Sequence, residues 1–427
     1  MENVITVSLQ TPDQNRSLVR GSMEELHRLV ETAGGRVVQS ITQRRHRPEP
    51  ATLIGRGKAL ELAELGKQAG VQTFVFDQPL KPAQQRHLED TLTAKVIDRT
   101  RLILDIFAQR ARTREGQWQV ELAQLAYRLP RLTSVFGRFE QQTGGIGTRG
   151  PGERKLEVDL RRLRDRMALL QKHIEKIRQE RTLQRQVRRS VPVPQVALVG
   201  YTNAGKSTLL NALLSMSAGL PGRQAGAPHH RVYADDKLFA TLDPTTRRIR
   251  LPSGRVVLFS DTVGFIRNLP TELVAAFRAT LEEASNADLL LEVIDVSDPA
   301  WQEQEKTVSD LLNRLGIHEL PRLTAYNKMD RLSPKTRERA ARLDGFLISA
   351  ETGKGLKELL AAVENRLSEQ WVEKDLLLPY SEGARLAQLH QHMDVLSKVA
   401  TERGIQVRVR THPTTLAQWL SKNDARE

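Results

Sequence analysis

A short apolar run, Gln195 to Val199, leads directly into Gly200-Tyr-Thr-Asn-Ala-Gly-Lys-Ser207, and a helical stretch from Thr208 to Leu214 follows. No other feature of the chain limits its fold as tightly. A strand, a loop of the form G-x4-GK[ST] and a helix place a row of backbone N–H groups around a concavity that suits phosphate oxygens. Gly200 and Gly205 let the backbone turn, and Asn203, Ala204, Gly205 and Thr208 supply the amides of the cradle. Lys206 meets the β and γ charges, and the Ser207 hydroxyl is a ligand for Mg²⁺.

Three further elements follow in a meaningful order. Asp261-Thr-Val-Gly264 comes after the apolar strand Val256 to Phe259. That order puts a carboxylate in the second shell of the magnesium and a glycine N–H at the γ-phosphate. Asn327-Lys-Met-Asp330 follows the stretch Arg322 to Tyr326. There Asp330 can accept two N–H bonds from guanine that adenine cannot offer, Lys328 lies in the same pocket, and Asn327 can brace the loop. Ser349, Ala350 and Glu351, in Ser349-Ala-Glu-Thr-Gly353, complete the base pocket. These residues imply a Mg²⁺-dependent P-loop α/β GTPase domain over residues 192–370, with GTP favoured over ATP. For the switch that caps the metal, Thr241, Thr245 and Thr246 all offer a hydroxyl. Thr241 is chosen, because Thr245 and Thr246 fall in a strand joined at Pro252-Ser-Gly254 to the next, where they pair across the hairpin. Lys206, Thr241 and Gly264 are the expected catalytic groups, Ser207 and Thr241 the metal ligands, and Phe239 lines the nucleotide from the same switch.

Residues 1–100 alternate strand-like and helix-like runs: Val4 to Leu9, Ser22 to Ala33, Arg36 to Ile41, Lys58 to Gln68, Thr73 to Phe76, Pro82 to Leu92 and Lys95 to Asp98. Alternation of this kind predicts an N-terminal α/β domain with a parallel sheet. Gly55-Arg56-Gly57-Lys58 lacks the first glycine of a phosphate loop and is expected to be a plain turn. From residue 101 the period changes to heptads. Leu104, Ala108, Ala111, Glu115, Trp118, Leu122, Leu125, Leu129 and Leu132 form one seam, and Leu156, Leu160, Leu163, Met167, Leu170, Ile174 and Ile177 a second. Between them Thr143-Gly-Gly-Ile-Gly-Thr-Arg-Gly-Pro-Gly152 must reverse the chain, so residues 101–190 are expected to form an antiparallel coiled-coil helical hairpin. At about 1.5 Å per residue, its second helix extends on the order of 45 Å. Residues 371–427 suggest a small C-terminal α+β domain, with a strand at Asp375 to Leu378, a helix from Glu382 to Glu402 and a strand from Ile405 to Arg410.

Charge is distributed unevenly over this multidomain plan. The formal net charge is +14, and residues 101–190 hold twenty-one Lys or Arg against ten Asp or Glu. That segment should be drawn to a polyanion such as RNA. The absence of cysteine fits a reducing compartment, and no apolar run is long enough to span a membrane, so a cytoplasmic location is expected.

With Gly144-Gly-Ile-Gly-Thr-Arg-Gly-Pro-Gly-Glu153, Gly200-Tyr-Thr-Asn-Ala-Gly-Lys-Ser207, Leu238-Phe-Ala-Thr-Leu-Asp-Pro-Thr245 and Asp261-Thr-Val-Gly-Phe-Ile266, the chain resembles the HflX GTPases. Arg47-Pro-Glu-Pro-Ala-Thr-Leu-Ile-Gly55 and Leu269-Pro270, with a helix running to Glu283, extend the resemblance over nearly the whole length. The resemblance implies a ribosome-associated GTPase, a monomer that binds the large subunit and its 23S rRNA through the N-terminal region. It also implies splitting or rescue of stalled 70S ribosomes under stress, with the glycine-rich tip near the peptidyl-transferase centre. Met216 to His230 is a Gly/Pro-rich segment where related chains are shorter, and Phe265 stands where Ras-like enzymes carry a water-orienting glutamine. Intrinsic hydrolysis should be slow, and Asn203 either helps to hold K⁺ or only packs the loop. An ATP-driven RNA remodeller and a GTP-sensing RNA-binding scaffold are the competing functions. Asp330 argues against ATP, and the incomplete loop at Gly55 argues against a second nucleotide site.

Overall fold

The computed structural model describes residues 1–142, 151–188, 193–218, 238–239, 244–267, 284–369, 371–381, 383–411, 416–417 and 419–420, with backbone alone for 133–142, 151–156, 181–188 and some residues of 384–394. Among these, three sheets follow one another along the chain.

The first sheet contains β1 (Glu2–Gln10), β2 (Gly35–Arg44), β3 (Thr73–Phe76) and β4 (Lys95–Asp98), all parallel in the order β2-β1-β3-β4. Its crossovers are α1 (Arg16–Thr32), α2 (Arg56–Ala69) and α3 (Pro82–Leu92). In α1 the Asn15 side chain accepts the Ser17 N–H, and Val19, Met23, Leu26, Leu29 and Val30 bury one face. Gly55, at the start of the suspected second loop, is simply the N-cap of α2.

The first heptad seam is not one helix. Helix α4 (Arg99–Arg110) is N-capped by Asp98 and stops at Ala111, whose ψ of 110° is extended. Thr113 then accepts the Gly116 N–H at 3.0 Å and starts α5 (Arg114–Gln142). Spacing alone suggested continuity across Ala108, Ala111 and Glu115, but a local cap opposes it. Leu102, Ile103, Leu104, Ile106 and Phe107 are all buried, so α4 is a core helix rather than one strand of a coil. It also runs across residue 100.

Helix α6 (Pro151–Arg188) lies antiparallel to α5: Arg166 makes a two-point contact with Glu121 at 2.8 Å, and the His173 ring stacks on Trp118 at 4.8 Å. Leu160, Leu163, Met167, Leu170, Ile174 and Ile177 are buried or half-buried, while the arginines between them are exposed. The middle of α5 is tied to the first sheet. Tyr127 donates to Asp98 at 2.8 Å, and Arg131 donates to the Leu80 carbonyl at 2.9 Å and to Asp98 at 3.3 Å. Residues 143–150 of the glycine-rich segment lie outside the described residues.

The central sheet runs β10-β9-β8-β5-β7-β6, built from β5 (Gln195–Val199), β6 (Thr245–Arg250), β7 (Val256–Asp261), β8 (Leu289–Asp295), β9 (Arg322–Asn327) and β10 (Phe346–Leu347). Only β6 is antiparallel to its neighbour. Helices α7 (Lys206–Ala218), α8 (Trp301–Arg314), α9 (Pro334–Ala340) and α10 (Leu356–Ser368) belong to this unit. Helix α7 includes the first three residues of the segment read as an insertion, and the rest of it lies outside the described residues. So does the whole of the helix expected between Leu269 and Glu283.

The last sheet, β11 (Val372–Leu378), β13 (Gly404–Thr411) and β12 (Asp394–Thr401), is antiparallel. The helix expected from Glu382 to Glu402 is α11 (Gly383–His392), which ends before the edge strand β12. The β-branched residues Val395, Val399 and Thr401 suit that strand, and their cross-strand partners on β13 decide the outcome. Among the described residues no helix is long and apolar enough to cross a membrane.

One apolar core joins the first unit to the central one. Leu26 and Leu29 of α1, Phe107 of α4 and Val120 and Ala123 of α5 lie in the same buried cluster as Tyr201, Val263, Phe265 and Ile266.

Candidate active site

The Gly200–Ser207 loop leaves β5 at the centre of the sheet, where β7 and β8 flank it, and runs into the N-terminus of α7. Two of its glycines cannot be replaced without a collision. Gly200 has φ +147°, and a Cβ there would strike the Val293 carbonyl oxygen; Gly205 has φ +93°, and a Cβ would strike the Asn327 amide. Asn203 is also left-handed, with φ 61°. Lys206 is buried and donates to the Gly200 carbonyl at 3.0 Å and the Tyr201 carbonyl at 2.8 Å. Burial pushes its ammonium down to about 8, against the pull of Asp261. A phosphate would relieve that cost by adding negative charge beside the ammonium. Ala204 is buried, and Thr208 is exposed on the first turn of α7.

Ser207 donates to the fully buried Asp261 carboxylate at 2.6 Å. A hydroxyl and a carboxylate at a phosphate loop form a hard oxygen donor set, and these residues fit Mg²⁺. Thr202 beside them is buried, and its hydroxyl has no hydrogen-bond partner among the described residues. Gly264 sits so close to the loop that a Cβ would come within 2.8 Å of Thr202 Cα and 3.1 Å of Lys206 Nζ. A backbone bridge fixes this approach: Thr202 N–H donates to the Phe265 carbonyl at 2.8 Å, and Phe265 N–H to the Gly200 carbonyl at 3.1 Å. Phe265 itself is buried in the core.

On the base side, Asn327 joins two loops. Its amide donates to the Ala204 carbonyl at 2.9 Å, and its Oδ1 accepts the Ala350 N–H at 2.9 Å. Lys328 has φ 65° and pairs with Asp295 at 2.7 Å. Ser349 is fully buried and accepts the Thr352 N–H, while Asp330 and Glu351 are exposed around the opening.

Thr241 lies outside the described residues. Phe239, expected to line the nucleotide, is buried instead against Phe107 of α4, with ring centroids 4.4 Å apart. An aromatic ring beside an open apolar helix face gains more from burial there than beside charged phosphates. Thr246, assigned to the hairpin, bonds to Ser260 across it at 2.9 Å. Sequence reasoning passed over Tyr201, which occupies a variable position of the loop motif; its hydroxyl leaves the site and donates to Glu25 of α1 at 2.6 Å.

Comparison with known proteins finds GTPase families along the chain. The family descriptions that match are "GTP-binding GTPase N-terminal" at residues 20–108, "GTP-binding GTPase Middle Region" at 110–188 and "50S ribosome-binding GTPase" at 195–328. The GTPase HflX of Caldanaerobacter subterraneus subsp. tengcongensis is 44% identical over 407 residues, covering 95% of this chain and 90% of that protein. The GTPase HflX of Escherichia coli K12 is 44% identical over 394 residues, covering 91% and 89%. A GTP-binding protein from Sulfolobus solfataricus, solved in complex with GDP, is 22% identical and covers 86% of this chain and 99% of that one, with a TM-score of 0.44. With the phosphate loop and relatives 44% identical over nine-tenths of its length, this chain belongs to the HflX family of GTPases.

Proposed function

We propose that this GTPase works with Mg²⁺, that its GTP state binds the large ribosomal subunit and its 23S rRNA, and that it splits or rescues stalled 70S ribosomes under stress. The observation that carries the reading is the basic helical pair α5/α6, bolted to the first sheet through Tyr127 and Arg131, in one core with the segment that follows Asp261. A positively charged lever of that length suits rRNA, and the shared core gives nucleotide state a route to its orientation.

At the site the protein's own groups position and neutralise. The loop amides between Asn203 and Thr208 hold the α and β phosphates, Lys206 moves from its two carbonyl partners to the β and γ oxygens, and Gly264 N–H meets the γ group. Ser207 and Thr241 would hold the magnesium, with Asp261 behind Ser207; the ion would supply charge neutralisation for the phosphates. Asp330 selects guanine, with Lys328, Ser349, Ala350 and Glu351 around the base. Phe265 is buried and cannot orient a water molecule, which supports slow intrinsic turnover. Asn203 is a candidate to hold K⁺ at the loop, and equal rates in sodium and potassium would remove that role. The chain acts as a cytoplasmic monomer.

Sedimentation of ribosomes with the protein in GTP, GDP or a non-hydrolysable analogue tests the partner. We expect co-migration with the large subunit and loss of 70S particles with GTP or the analogue. A protein that never travels with the large subunit refutes the assignment, and equal competition by ATP and GTP refutes the base selection.

A further inference from the structure

The Tyr201 hydroxyl occupies a junction between the two units. It donates to Glu25 at 2.6 Å and accepts the backbone N–H of Arg267, three residues beyond Gly264, at 2.9 Å. Glu25 is in turn ion-paired with Arg99, whose other arm reaches Asp77 at 2.7 Å, and Ser22 donates to Asp77 at 2.8 Å. Arg99, Glu25, Asp77 and Tyr201 are all buried. Two carboxylates against one guanidinium leave a surplus negative charge in the core, so the Tyr201 and Ser22 hydroxyls are needed as donors. Burial, with Glu25 alongside, pushes the phenol well above its ordinary range and keeps it protonated. The residue next to Arg99 is Asp98, which accepts from Tyr127 and Arg131 in the middle of α5. The line from the backbone after Gly264 to the helical pair is hydrogen-bonded as far as Arg99 and passes to Asp98 through the main chain.

A buried ion cluster is weak support for stability, and its best-attested use is to fix one arrangement among several. Here the arrangement includes the segment that carries Gly264. Its approach to the loop is set by the Phe265 bridge and by the Arg267 N–H on the phenol. We propose that Tyr201 and Glu25 are positioning residues for GTP hydrolysis: the phenol, held by Glu25, sets the height of Gly264 over the phosphate loop and ties the hydrolysis rate to the seating of the N-terminal unit and α5. The inference rests on the GTPase activity of the family and is independent of the ribosomal partner.

The test uses the full chain without ribosomes, in single-turnover GTP hydrolysis with Mg²⁺. Tyr201→Phe and Glu25→Gln should each slow hydrolysis about tenfold while GTP and GDP affinities stay within about threefold. The double variant should be no slower than the worse single variant, because both break one connection. Tyr127→Phe, at the far end of the line, should slow the same step about two- to threefold. Amide hydrogen exchange at Arg267 should accelerate in Tyr201→Phe, which keeps the ring and its packing. A lower melting temperature with unchanged rate and unchanged exchange overturns the proposal, as does a double variant slowed about a hundredfold. An unaffected Tyr127→Phe removes the reach to α5. If Glu25→Gln does not fold, Tyr201→Phe with wild-type rate and wild-type Arg267 protection is sufficient to overturn it.

Discussion

Replacement of Asn327 by alanine should loosen the phosphate loop and the base loop together. The side chain is buried, and its two hydrogen bonds, both 2.9 Å, join the Ala204 carbonyl to the Ala350 N–H. Truncation leaves both backbone groups buried and unpaired, each at about 1–3 kcal/mol, so the nucleotide-free protein should lose roughly 2–6 kcal/mol. Nucleotide binding must then re-order two loops that the wild type holds ready. If that re-ordering costs about 2–3 kcal/mol, affinity for GDP falls about 30- to 150-fold. Asn327→Asp should do no better. It keeps an acceptor for Ala350 but sets a carboxylate against the Ala204 carbonyl. Urea unfolding measures the first quantity and fluorescent GDP titration the second. An alanine variant with a wild-type unfolding midpoint and a Kd within threefold would refute the bracing role.

Gly264→Ala forces a methyl group against Thr202 and Lys206 at the separations above; turnover should fall about a hundredfold, measured as phosphate release, with GDP affinity much less affected. Phe107→Ala opens a cavity against Phe239 between the two units and should cost about 3–5 kcal/mol in chemical denaturation, without changing the guanine preference. Glu292, fully buried on β8, has its carboxyl raised from 4.5 to about 7 by burial, which Arg322 partly offsets. Because the folded form holds its proton more tightly than the unfolded chain, this group contributes stability that is complete below about pH 4.5 and lost as pH rises through about 7. The amount is about 3 kcal/mol. Glu292→Gln should flatten that slope between pH 5 and 7.5, and an unchanged slope in melting-temperature profiles would refute it.

Local chemistry was readable wherever it depends on a few neighbours in the chain. The strand before Gly200, the glycines at positive φ, the alternation that builds β1 to β4 and the four-three spacing of Leu160 to Ile177 each follow from steric limits or from burial of one face. Asn327 could be named as a brace from its motif alone, though not its two partners. Where two local signals competed, the stronger was not visible in the spacing. Thr113 capped a new helix inside an apparent seam, and β13 drew residues after His392 into a strand. What only the tertiary structure decided is the joining of units. Glu25 and Tyr201 are 176 positions apart in the chain, and nothing local in either residue specifies the other. Their meeting depends on the packing of α1 and α4 against the central unit, which brings a surplus buried charge within reach of the Tyr201 phenol. The same packing buries Phe239 against Phe107, because an aromatic ring goes where the whole fold, rather than its own segment, offers apolar cover.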